Sequence, residues 1–172
     1  MQKIAAHMLG EVVSSNTPEA HHFSKKNNFG EIKNGKIIYS ASEVLFLAEE
    51  KKMEVLSRNG KIPLEELMKK FRRFDKRLQV KYPVFRDLRK KGYVVKTALK
   101  FGADFRVYDK GKKPGWEHAK WIVFADYESK RLTWHEFSAK NRVAHSTKKN
   151  LLLAIVDDEE DITYYEIKWI KP

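Results

Sequence analysis

Leu151-Leu152-Leu153-Ala154-Ile155-Val156 is the longest unbroken apolar run in the chain. Six residues fall far short of the ~20 that a membrane-spanning helix needs, and the run is also short for a helix, so it reads as a buried strand. Its flanks define what surrounds it. Upstream, Thr133-Trp134-His135-Glu136 has capping-box spacing and opens a helix through Phe137, Val143 and Ala144. Before that helix, Lys120-Trp121-Ile122-Val123-Phe124 reads as another strand. Downstream, Asp157-Asp158-Glu159-Glu160-Asp161 links the run to a last strand, Ile162 to Ile170. Further out, Asp104 to Tyr108 alternates, with Phe105 and Val107 on one face and Asp104, Arg106 and Tyr108 on the other. Tyr93-Val94-Val95 is a further strand, and Lys110-Gly111-Lys112-Lys113-Pro114-Gly115 is a loop by composition. These elements make a carboxyl-terminal α/β domain.

The amino-terminal part reads differently. Glu31-Ile32-Lys33 and Lys36-Ile37-Ile38-Tyr39 flank Asn34-Gly35, a hairpin signal. Ser40 or Ser42 caps a helix that holds Val44, Leu45, Leu47 and Ala48 and runs towards Val55. Pro63 opens another, with Leu67, Phe71, Phe74 and Leu78 on its apolar face. Lys69, Lys70, Arg72, Arg73, Lys76 and Arg77 line the opposite face, which reads as solvated. The ring of Pro83 disfavours the α conformation at Tyr82, so that helix is expected to end there. A short helix from Val84 to Lys91, stopped by Gly92, follows. The join is therefore placed near residue 82, giving an amino-terminal module over 1–82 and a carboxyl-terminal domain over 83–172.

Length and charge narrow the function. The chain has 172 residues, a formal charge of +12 and no cysteine. Cysteine ligands, disulfides and thiol nucleophiles are excluded, and the composition suits a reducing cytoplasm. Met1 to Val13 carries Lys3, His7 and Glu11 within its apolar stretch and reads as folded protein, not as a signal peptide. No membrane partner is expected. A folded chain this basic points to a polyanion, with nucleic acid the default.

Three features carry possible chemistry. Tyr108 and His118 flank the basic loop, and Lys149 ends the segment His145-Ser146-Thr147-Lys148-Lys149 before the buried strand. A phenol, an imidazole and an ammonium group are what RNA cleavage without a metal or other cofactor requires. One removes the 2′-OH proton, one protonates the leaving oxygen, and one stabilises charge on phosphorus. The rival set is Asp104, Glu117 and Lys120, the residue types of a metal-dependent nuclease. A third reading is a non-catalytic, RNA-binding structural subunit. No histidine pair has zinc spacing.

Residues 82–172 resemble the archaeal tRNA-splicing endonuclease family. The resemblance rests on Tyr82-Pro83-Val84-Phe85-Arg86-Asp87-Leu88-Arg89, Gly92-Tyr93-Val94-Val95-Lys96-Thr97 and Phe101-Gly102-Ala103-Asp104-Phe105-Arg106-Val107-Tyr108. It continues through Glu117-His118, Arg142-Val143-Ala144-His145-Ser146, Lys149, and Ile162-Thr163-Tyr164-Tyr165 after the acid run. The amino-terminal part is similar only in length and pattern, notably Ser42-Glu43-Val44-Leu45-Phe46-Leu47. The resemblance implies an α+β protein: a small amino-terminal α/β module, then an α/β domain whose mixed central sheet is flanked by helices, restriction-endonuclease-like. It implies Tyr108 as general base, His118 as general acid and Lys149 as charge stabiliser, with no cofactor. The products would carry 2′,3′-cyclic phosphate and 5′-hydroxyl ends, and the substrate would be precursor tRNA recognised as a bulge–helix–bulge.

Free tyrosine has a pKa near ~10, so only about one part in 10³ is phenolate at neutral pH. Either Lys110 or Lys112 biases the phenol, or the phenol orients the 2′-OH. Arg142 matches one of the family's base-clamping positions, and Trp169 is the candidate for the second, since an indole face suits both a base and a guanidinium. The resemblance further implies that Asp157, Asp158, Glu159, Glu160 and Asp161 dock on another subunit of a tetramer, formed by self-association or with a paralogous chain. The last strand would meet a neighbour's strand. Family members commonly carry a glycine in this loop, and here there is none.

Overall fold

The structure, a computed structural model, describes residues 3–115 and 117–172. Met1 and Gln2 of the predicted amino-terminal stretch lie outside the described residues. The chain divides into two compact units, Met1–Gln79 and Val80–Pro172. Among the described residues, no helix is long and apolar enough to cross a membrane.

The first unit runs β1 (Ile4–Leu9), β2 (Val12–Ser15), α1 (Pro18–Asn27), β3 (Glu31–Lys33), β4 (Lys36–Tyr39), α2 (Ala41–Glu49), β5 (Met53–Ser57), β6 (Gly60–Lys61) and α3 (Leu64–Phe74). Its sheet has the order β3-β4-β2-β1-β5-β6, and β1 and β5 are parallel. Asn34 and Gly35 both take positive φ (49° and 75°), the requirement of a two-residue hairpin turn whose twist matches its strands. Ser40 caps α2: its Oγ accepts the Glu43 N–H, and the Glu43 carboxylate accepts the Ser40 N–H. The helix stops at Glu49 and does not reach Val55. Lys51 turns left-handed (φ 56°), and Val55 instead lies in β5 opposite Ala6 of β1.

The expected single helix from Pro63 to Tyr82 is two helices. Leu67 and Phe71 are buried as the spacing predicts, but Phe74 ends α3 and is exposed. The Asp75 carboxylate accepts the Arg77 N–H at 2.9 Å, a local turn that competes with helix. A new helix, α4 (Leu78–Lys90), then starts and carries Pro83 inside it. Pro83 is the sixth residue of α4; it removes the one hydrogen bond that its N–H would make to Gln79, and the helix continues through it to Lys90.

The second unit continues with β7 (Val94–Thr97), a 3₁₀ turn (Leu99–Phe101), β8 (Phe105–Tyr108), β9 (Trp121–Tyr127), α5 (Trp134–Ser146), β10 (Asn150–Val156) and β11 (Ile162–Ile167). The sheet order is β11-β10-β9-β8-β7, with only β9 and β10 parallel; α5 is the crossover between them. Thr133 and Glu136 form the predicted capping box of α5. Ile122, Phe124, Leu151 and Leu153 pack with Ala144 of α5 on one face. Phe105 points to the other face, where its ring lies 5.7 Å from Phe85 of α4. Helices therefore cover both faces of a mixed sheet. The last strand ends at Ile167, short of the expected Ile170.

Candidate active site

Strand direction decides what meets at each end of the second sheet. Tyr108 is the last residue of β8, Trp121 the first of antiparallel β9, and Asn150 the first of parallel β10. Val107 pairs with Trp121, and Trp121 with Asn150. The Lys120 N–H donates to Val107 O at 2.8 Å, and the Asn150 N–H donates to Lys120 O at 3.0 Å. His118 lies two residues before Lys120, and Lys149 immediately before Asn150. The chain segments bearing Tyr108, His118 and Lys149 thus leave the same end of three adjacent strands.

The three side chains have different surroundings. Tyr108 is only 4% exposed and packs with Val94 and Ala119, whereas His118 next to Ala119 is exposed. Lys149 is half-buried. Its position follows from how α5 ends: Lys148 turns left-handed (φ 55°) and the Lys149 N–H closes back on Ala144 O at 2.9 Å. Its Nζ donates to Thr147 O at 2.6 Å and lies 6.0 Å from the centre of the Phe101 ring. Burial lowers the Lys149 pKa from the ordinary lysine value, and the Arg106 guanidinium adds to the effect. Arg106 pairs with Ile122, so it and Tyr108 share the sheet face covered by α5.

A cleft of about 220 Å³ adjoins Lys149, lined also by Asn141, His145, Lys148 and Trp169. The indole of Trp169 is 58% exposed, and its ring centre lies 4.5 Å from that of His145. Arg142 is exposed on α5, one turn before His145. Lys149 and Trp169 therefore share a cleft, and Arg142 sits on the adjoining helix. Lys110 Nζ lies 5.3 Å from the Tyr93 ring centre, and Lys112 lies 3.6 Å from Glu117.

The rival metal set does not assemble. Asp104 precedes β8, so it sits at the end opposite Tyr108, four strand residues or roughly 13 Å away. It is buried, and its carboxylate accepts the Ala125 N–H at 2.9 Å. Glu117 and Lys120 belong to the other end, where Lys120 lies 3.6 Å from Asp109. The acid run also lies opposite Tyr108, between β10 and β11. The Asp157 carboxylate accepts the N–H groups of Glu159 and Asp161 (2.9 and 2.8 Å), and Glu160 pairs with Arg86 at 2.9 Å. Glu160 takes the left-handed conformation (φ 65°) that a glycine adopts without strain. Asp158, Glu159 and Asp161 are exposed.

Sequence reasoning gave no role to Arg106, Asn141 or Glu166. Glu166 accepts hydrogen bonds from Trp121 Nε1 (3.1 Å) and Asn150 Nδ2 (2.7 Å), at the strand ends just described. Only the register of β10 with β11 reveals that contact.

Residues 78–164 match the tRNA intron endonuclease catalytic C-terminal domain. The tRNA-splicing endonuclease of Thermococcus kodakarensis is 42% identical over 146 residues, 85% of each chain. That of Thermococcus gammatolerans is 39% identical over 169 residues, 98% of this chain and 99% of the relative. That of Nanoarchaeum equitans is 43% identical over 136 residues, 76% of this chain and 87% of the relative. The chain belongs to the tRNA-splicing endonuclease family: it is an enzyme with a tRNA-intron endonuclease domain.

Proposed function

We propose that this chain cleaves precursor tRNA at bulge–helix–bulge intron junctions by metal-independent 2′-OH attack. Tyr108 takes or orients the proton of the 2′-OH as that oxygen bonds to phosphorus. His118 donates a proton to the 5′-oxygen as its bond to phosphorus breaks. Lys149 stabilises the negative charge that builds on the phosphorane oxygens. The products are a 2′,3′-cyclic phosphate and a 5′-hydroxyl, so atoms and charge balance without a co-reactant. The observation that carries this reading is the departure of all three segments from one end of adjacent strands. The lowered Lys149 pKa also fits, because desolvation strengthens a cation's pull on a phosphoryl anion.

Substrate binding follows from the neighbouring cleft. Trp169 and Arg142 hold an unpaired base by stacking, while the positive charge of the chain holds the backbone. The acid hairpin docks on a second subunit and β11 pairs with its counterpart, giving a tetramer of identical or paralogous chains in the cytoplasm. The amino-terminal unit serves assembly. The test combines solution mass with cleavage of a bulged RNA in EDTA. The expected result is an oligomer whose products carry cyclic phosphate. Tyr108→Phe should slow single-turnover cleavage by about 10²-fold or more. Wild-type cleavage by Tyr108→Phe, or activity abolished by EDTA, contradicts the reading.

A further inference from the structure

We infer that Glu166 is a positioning residue that clamps the strand ends from which His118, Lys149 and Trp169 leave; the inference rests on the proposed catalytic assignment. The carboxylate Oε1 of Glu166 accepts the Trp121 indole N–H at 3.1 Å and the Asn150 amide N–H at 2.7 Å. Trp121 opens β9 just after the His118 segment, and Asn150 opens β10 just after Lys149. Glu166 itself is the penultimate residue of β11, three residues before Trp169. One oxygen thus joins the ends of three strands at the point where backbone pairing stops.

The electrostatics keep that oxygen an acceptor. The Asn150 and Trp121 hydrogen bonds hold the Glu166 pKa below the usual carboxylate value, and Lys168 and Lys120 act in the same direction. The side chain therefore stays ionised throughout the neutral range, and both donors keep their partner. Trp121 is further set by the Tyr93 ring at 5.5 Å and the Lys120 ammonium at 4.3 Å. Glu166 is placed to hold segments and not to touch the scissile phosphate: its side chain shares the sheet face of Trp121 and Asn150, opposite the face of Tyr108 and Arg106. Loss of the clamp frees the entries to β9 and β10 to shift by a fraction of an ångström, and catalysis of this kind is steep in such shifts.

The experiment measures single-turnover cleavage of a bulged RNA at saturating enzyme, the Kd of an uncleavable 2′-deoxy analogue, and the thermal midpoint. Glu166→Ala is expected to slow cleavage about tenfold to a hundredfold while Kd stays within about threefold. Glu166→Gln keeps an acceptor oxygen at the same place and is expected to recover most of the rate. Trp121→Phe, which keeps an aromatic ring and removes one of the two donors, is expected to give a smaller loss in rate. Equal impairment of Glu166→Gln and Glu166→Ala, a loss confined to Kd, or full activity of Glu166→Ala overturns the clamp. Lys149→Ala is the control that separates the two readings. If it cleaves like the wild type, the catalytic assignment fails; if it is inactive while Glu166→Ala is not, only the clamp fails.

Discussion

The two ends of the second sheet have opposite chemistry. The end where β8 stops and β9 and β10 start carries Tyr108, His118, Lys120, Lys148 and Lys149, with Lys168 and Trp169 following β11. The other end carries Asp104, Asp126 and the whole acid hairpin. By our reading, a phosphodiester is drawn to the first end more strongly than to the second. The acids at the first end are matched by cations: Glu117 lies 3.6 Å from Lys112, and Asp109 lies 3.6 Å from Lys120. By our reading, one five-stranded sheet therefore offers both a nucleic-acid end and a protein-binding end.

The largest effect is expected from removing the proton donor at the basic end. His118→Ala should slow single-turnover cleavage by about 10² to 10⁴-fold with little change in RNA affinity. A loss seen mainly in binding would turn His118 into a contact residue. At the acid end, Asp158→Asn combined with Glu159→Gln should lower the solution mass at a given concentration, most at low salt, and make assembly less dependent on salt. At concentrations that restore the assembly, its cleavage rate should return to within about threefold of wild type. A persistent rate defect would remove the division of labour between the ends.

A smaller effect concerns Lys149. Arg106→Gln takes a like charge from beside it, so the Lys149 pKa should rise back towards the ordinary lysine value. Lys149 then keeps its proton to higher pH, and the alkaline limb of the rate profile should move up. A downward or absent shift, read from pH–rate curves, would show that Arg106 does not act on Lys149. The smallest effect is at the hairpin. Glu160→Gly relieves the left-handed backbone, worth about 1 kcal/mol, and removes an exposed ion pair with Arg86 worth about 0.2–1 kcal/mol. A net gain of less than about 1 kcal/mol in denaturant unfolding is expected. A clear loss would mean that the ion pair holds the tip more strongly than an exposed contact should.

The sequence was most legible where the signal is local. The Asn34-Gly35 turn, the Ser40 and Thr133 caps and the apolar run of β10 each need only a few neighbouring residues. The break between α3 and α4 depends on one Asp75 side chain capturing a backbone N–H, and the apolar spacing runs straight across it. Helix α1 buries only Ala20 and Phe23 and so shows almost no apolar stripe in the sequence, although Thr17 and Pro18 mark its start. The helix expected to run towards Val55 stops short of it, because Val55 pairs in β5 with Ala6 of β1, a partner distant in sequence. In the site, residue types named Tyr108, His118 and Lys149, but only the order β10-β9-β8 gathers their segments. That order also excludes Asp104 from the Glu117 and Lys120 group. Arg106 and Glu166 act across strands, which no spacing along one segment can reveal.

The most direct measurement uses an RNA whose bridging 5′-oxygen at the cleavage site is replaced by sulfur. A thiolate leaves without protonation, so a general acid becomes dispensable. The account predicts that His118→Ala, slow on ordinary RNA, cleaves the thio-substituted RNA at close to the wild-type rate, while Lys149→Ala remains slow on both. Equal impairment of His118→Ala on the two substrates would contradict it.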